Sequence, residues 1–177
     1  MGSSTSGTKI LASFVQREGW DKARVQLTER AAELDDTLTL SLALHCGRGP
    51  EHILSLLRDV FWRLPIEVRI NLLEDALWRT GLYDEVPFLA PSMRAIFRVR
   101  NSVAHSVTMG MTDTHLALRT VKRGKVETVE LNADNLNWAI WAAELCFVLF
   151  LRIEGRIGST DVWGELYGFT DRFEGAE

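Results

Sequence analysis

Apolar residues along this chain recur mostly at steps of three and four, the spacing of one helical face, and only one stretch alternates strictly. Leu27, Ala31, Leu34, Leu38, Leu42 and His45 fall on one face of a long helix predicted over residues 21–46, with Asp21 as N-cap and Gly47 and Gly49 as its stop. A short amphipathic helix over residues 9–16, ending near Gly19, precedes it. Residues 50–62 carry Ile53, Leu56, Leu57, Val60 and Phe61 behind Pro50, which suits a first helical turn. Ile66, Ile70, Leu73, Leu77 and Trp78 mark a helix over residues 66–79 that Gly81 closes, and residues 91–105 make a fifth. All four prolines, Pro50, Pro65, Pro87 and Pro91, lie between Cys46 and Met93 and cut this region into short helices.

The alternation comes after Thr112. Leu116, Leu118 and Thr120 alternate with Ala117, Arg119 and Val121, while Val126, Thr128, Val129 and Leu131 are β-prone. Arg123, Gly124 and Lys125 supply the turn of a β-hairpin over about residues 114–131. The last strong helix, residues 135–154, is apolar nearly all round, with Leu136, Trp138, Ile140, Trp141, Leu145, Phe147, Val148 and Phe150. Such a helix belongs at the centre of the core or at a subunit interface. Its most apolar run, residues 138–151, contains Glu144 and is shorter than the roughly 20 residues of a bilayer span. The pattern predicts a mainly α fold, a helical bundle with one β-hairpin inserted before the last core helix. Residues 1–8, rich in Gly, Ser and Thr, read as a flexible leader and residues 9–155 as the domain. Residues 156–177 read as a tail whose Trp163, Leu166, Tyr167, Phe169 and Phe173 pack on the body or on a partner.

With 177 residues, 46% of them hydrophobic and 25% charged, the chain suits one globular domain. A net charge of −4 excludes a uniformly basic nucleic-acid surface, so an RNA contact must be a local patch. Cys46 and Cys146 are too few for a disulfide scaffold, lack metal-ligand spacing and are expected as buried thiols, which favours a cytoplasmic setting without a membrane anchor. No glycine-rich phosphate loop, H-E-x-x-H or nucleophile elbow is present, and neither a metal nor a cofactor is expected.

Candidate chemistry concentrates in one helix. Arg94, Arg98 and Arg100 fall within seven residues, followed by His105. Arg94, Arg98, Asn101 and His105 share a helical stripe, whereas Arg100 belongs to the neighbouring, otherwise apolar stripe of Met93, Ile96 and Val103. Arg100 and His105 lie about 140° apart on a straight helix, so either the arginine reaches round or the helix ends near His105. Histidine titrates near neutrality and can act as general acid or base. An arginine stays charged and can hold two phosphate oxygens at once.

Arg100-Asn101-Ser102-Val103-Ala104-His105 resembles the R-x4-6-H motif of HEPN domains, in its R-N-x-x-A-H form. The order of helices from about residue 25 to 152 is also similar to the mannitol-operon repressor-like branch of that family. The resemblance implies a HEPN-like bundle acting as a metal-independent endoribonuclease, in the setting of a toxin or a phage-defence effector. It implies His105 as general acid/base, Arg100 as phosphate binder and Asn101 as the polar group that orients the imidazole or contacts ribose or phosphate; Arg94 and Arg98 of the same positive patch are further candidates for RNA contact. Products would be a 2′,3′-cyclic phosphate and a 5′-hydroxyl. Because one histidine does not readily serve as both acid and base, a homodimer with its motif helices near the two-fold axis is expected.

Other readings of the same residues stay open. Arg100 on an apolar stripe needs a partner if buried, and Glu33, Asp35 and Asp36 are the acids placed to be its structural partners. His105 at a helix end also complements the helix macrodipole. Lys122, Arg123 and Lys125 form either a solvated turn or a grip on an RNA backbone. A non-catalytic HEPN-like regulator, or an antitoxin- or immunity-type interaction module with a cognate protein partner, is the alternative function.

Overall fold

The structure, a computed structural model, describes residues 13–46, 51–122 and 125–157. The leader, most of the short helix before Ser13, Arg123 and the aromatic residues of the tail lie outside the described residues. Helix α1 (Ser13–Cys46) bends at Gly19, whose φ of 81° and ψ of 164° suit glycine alone. The break expected near Gly19 is therefore real and separates a short opening segment from the long helix. Then follow α2 (Glu51–Trp62), α3 (Ile66–Thr80), a 3-10 turn (Tyr83–Glu85) and α4 (Leu89–Ala104). Three strands come next, β1 (Val107–Met111), β2 (His115–Lys122) and β3 (Lys125–Asn132), and α5 (Ala133–Ile157) closes the described chain.

The core is built on α1 and α5, the most extensively packed helix pair. Leu27, Ala31, Leu34 and Leu38 of α1 are fully buried, as the 3- and 4-residue spacing requires. They meet a face of α5 rich in small residues, Ala139, Ala142, Ala143 and Cys146, which lets the two helices approach closely. Ile70, Leu73 and Leu77 of α3, and Met93, Ile96 and Phe97 of α4, close the other sides. The helix expected over residues 50–62 is present as α2; among its described residues Phe61 is buried and Leu57 packs against the core, while Ile53, Leu56 and Val60 are exposed. By length and composition Ala133–Ile153 would suffice to cross a membrane, longer than the apolar run read from sequence, yet 56% of its apolar 18-residue stretch is buried within the molecule.

The expected hairpin is present, with Leu116, Leu118 and Leu131 turned inward, but it belongs to a three-stranded antiparallel sheet in the order β1-β2-β3. β1 is hard to read from sequence because Val-Thr-Met-Gly-Met is only five residues long, carries a glycine and has no buried face, all five residues being exposed. Pairing with β2 makes it a strand, through a register that shifts between Thr108 and Gly110. Cys146 is buried as expected, whereas Cys46 is exposed at the end of α1.

Gly81 ends α3 at φ 70°, and its N–H reaches the carbonyls of Leu77 and Trp78. A Cβ there would meet nothing within 4 Å, so the cost of Gly81→Ala is backbone strain alone. That variant is expected to lose about 1 kcal/mol, a fall of roughly 2–4 °C in a thermal unfolding midpoint.

Candidate active site

Helix α4 sets the motif in place. Its buried face is Leu89, Ala90, Met93, Ile96, Phe97 and Val103, and Arg100 occupies the slot on that face between Phe97 and Val103. Arg100 is half-buried: its stem shares the packed face while its guanidinium reaches outward. There Nη1 donates to Asn101 Oδ1 at 3.0 Å. The helix ends at Ala104, and His105 follows with φ −109° and ψ 17°, its backbone N–H on Asn101 O at 3.2 Å. Leaving the helix removes the 140° constraint of a straight α4. Arg98, Asn101 and His105 are all exposed.

The acids expected to hold Arg100 hold other arginines. Glu33 pairs with Arg30 at 2.9 Å, Asp35 with Arg69 at 2.6 Å, and Asp36 with Arg58. Among the described residues Arg100 forms no ion pair within 4 Å, although its charge acts on Asp35. Burial pushes the Asp35 carboxyl above its ordinary range, and the charges of Arg69 and then Arg100 pull it back. Arg69 is itself 5% exposed. Its Nη1 donates to Thr39 Oγ1 at 2.6 Å, its guanidinium lies 5.6 Å from the Trp62 ring centre, and its Nε has no hydrogen-bond partner. The contact to Asp35 Oδ1 is an ion pair without the alignment of a hydrogen bond.

Arg94 also departs from expectation. Its Nη2 donates to Asn71 Oδ1 at 2.7 Å and to Glu74 Oε2 at 2.6 Å, and its Nε lies 3.7 Å from Glu67. It ties α4 to α3 and is taken up by two carboxylates, so it is not an open RNA contact. Stripe geometry alone placed it with Arg98; the packing of α3 along this part of α4 separates them.

The strands bring a second set of cations to the motif. Val107, two residues after His105, pairs with Arg119, and β2 then runs on for three residues past the start of β1 to Lys122. Lys122 pairs with Lys125 at the far end, on the motif side of the sheet. Lys125 and Arg119 are exposed, and Arg123 lies outside the described residues. Arg119 had no signal in the sequence beyond its alternation outward.

Arg24 of α1 was also missed. Its Nη2 donates to Val103 O at 3.3 Å and its Nη1 to Thr108 Oγ1 at 3.0 Å, so it fastens both sides of the turn that carries His105. Trp20 Nε1 donates to Thr112 O at 2.8 Å and anchors the other end of β1. An open groove of about 480 Å³ runs beside this turn, lined by Asp21, Arg24, Thr28, Glu29, Val103 and Ala104 among others. No group of three or more His, Cys, Asp or Glu residues among the described ones is placed to hold a metal ion. No family model, no curated protein and no solved structure matches this chain.

Proposed function

We propose that the chain is a metal-independent endoribonuclease of the HEPN type. His105 takes the proton from a ribose 2′-hydroxyl, whose oxygen attacks the adjacent phosphorus. The bond to the 5′-oxygen breaks, leaving a 2′,3′-cyclic phosphate, and the leaving oxygen receives a proton. In a dimer whose two motifs share a cleft, that proton comes from His105 of the second copy; in a lone chain it comes from water. Arg100 holds the phosphate as negative charge builds on it. Asn101, bonded to Arg100 and one turn before His105, fixes the pair. Arg98, Arg119, Lys122, Arg123 and Lys125 carry the RNA backbone past them, in a cytoplasmic toxin or defence setting.

The observation that supports this reading is the state of Arg100. A structural arginine here would be held by Glu33, Asp35 or Asp36, yet each of these pairs with another arginine, and Arg100 leans on an amide beside an exposed histidine. The test is cleavage of structured and single-stranded RNA in EDTA by the wild-type chain and His105→Ala. Cleavage lost in the variant supports the assignment. Cleavage by both places the chemistry elsewhere, and silence from both favours the non-catalytic regulator.

A further inference from the structure

His105 stands in a gap between two regular elements. α4 ends at Ala104 and the pairing of β1 with β2 begins at Val107, so His105 and Ser106 belong to neither. The gap supplies little order of its own. The His105 residue is exposed, and the Ser106 Oγ atom is buried with no hydrogen-bond partner. The last bond of α4 runs from the His105 N–H to Asn101 O at 3.2 Å. A helix end of this kind frays unless something outside the helix holds it. Arg24 supplies that hold from the middle of the fold. Its neighbours Ala23 and Leu27 on α1 are fully buried in the core, which fixes its backbone. From there the guanidinium spans the gap. Nη2 bonds Val103 O, two residues before His105, and Nη1 bonds Thr108 Oγ1, three residues after it.

We infer that Arg24 is a positioning residue for His105: it ties the turn that carries the imidazole to the core helix α1 and so sets where the proton is taken. The inference rests on the nuclease reading. Proton transfer needs the imidazole within hydrogen-bond reach of the 2′-hydroxyl, and a displacement of about 1 Å can cost about 100-fold in rate. The planar fork of an arginine suits the task, because its two donors are joined at a fixed separation and hold both acceptors at once. A direct contact with RNA is not the role of Arg24. Its side chain is 25% exposed, both terminal nitrogens are committed to the turn, and Nη1 also lies 3.8 Å from the Asp21 carboxylate.

The test is single-turnover cleavage in EDTA by the full chain at saturating RNA, beside the Kd for the same RNA with 2′-O-methyl groups, which lacks the nucleophile. Arg24→Met should slow cleavage per folded molecule by about 10–100-fold and leave Kd within about twofold. Arg24→Lys keeps the charge without the fork and should recover little. Thr108→Val, at an exposed position, removes one of the two bonds and should give an intermediate rate in a fully folded chain. Native-state amide exchange gives a readout independent of cleavage. The His105 N–H should exchange at least about tenfold faster in Arg24→Met, with the Leu27 N–H in the core unchanged. A purely structural role would lower the unfolding midpoint and leave the rate per folded molecule intact, and a contact with RNA would raise Kd instead; either result overturns the inference. A wild type that cuts no RNA overturns the nuclease reading and, with it, the catalytic role, and the exchange of the His105 N–H then shows separately whether Arg24 holds the turn. Exchange that is unchanged in Arg24→Met overturns the inference whatever the RNA assay gives.

Discussion

RNA cleavage in EDTA is expected to fall by about 10²–10⁴-fold in His105→Ala, the usual worth of a positioned general acid or base. The fold should not notice the change. His105 is exposed, lies beyond the last helical residue and contributes only its backbone N–H to the end of α4. Loss of activity with an unchanged unfolding midpoint therefore isolates chemistry from stability. Arg100→Lys sharpens the result: lysine keeps the charge but loses the planar fork, so it should recover little of what Arg100→Ala loses. Asn101→Ala removes the acceptor of the Arg100 guanidinium and should give an intermediate loss. Arg94→Gln, by contrast, should reduce stability and leave cleavage by the folded fraction intact, because Arg94 serves Glu74 and Asn71.

Arg69→Met is expected to cost about 3–5 kcal/mol, the usual price of breaking a buried ion pair from one side. For a chain of this length that is roughly 10 °C in the unfolding midpoint. The variant leaves Asp35 partly buried without its cation, and Thr39 without its donor. The deficit depends on pH in a definite sense. The folded pKa of Asp35 lies above its ordinary 3.8, so the native chain holds that proton more tightly than the unfolded chain does. Stability from this group therefore falls as pH rises through the window above 3.8. Without Arg69 the carboxyl is pushed higher still. Urea unfolding should then show the full deficit near pH 7 and a smaller one in acid, where Asp35 is protonated. Adding Asp35→Leu to Arg69→Met removes the stranded charge and should return most of the lost stability at pH 7. A deficit that is flat in pH would mean that packing against Trp62, not charge, is what Arg69 supplies.

The helices were legible because their cores are periodic. Leu27 to Leu38 on α1 and Ile70 to Leu77 on α3 sit where the spacing placed them, and Gly19 and Gly81 mark real breaks. On α2 the helix itself was legible but its burial was not, because amphipathic spacing tells which residues share a face but not whether a neighbour covers it. β1 was missed because its strand character comes from β2. At the candidate site the order of residues was readable and the partners were not. Nothing in the sequence says that Arg94 meets Glu74, that Asp35 meets Arg69 rather than Arg100, or that Arg24 reaches the turn before β1. Those pairings depend on how helices far apart in sequence cross, and no periodicity within one helix encodes a crossing.

The two thiols differ so sharply that the chain carries a built-in clock for its own opening. Cys46 is exposed, while Cys146 lies against α1 with its pKa pushed up by burial to about 12. At pH 8 only about one native Cys146 in ten thousand would be thiolate, the form that alkylating agents attack. Iodoacetamide should therefore reach the exposed Cys46 without any opening of the fold, and Cys146 only when α5 parts from α1. Because those helices form the centre of the core, the slow second label reads out how often the whole molecule unfolds under native conditions.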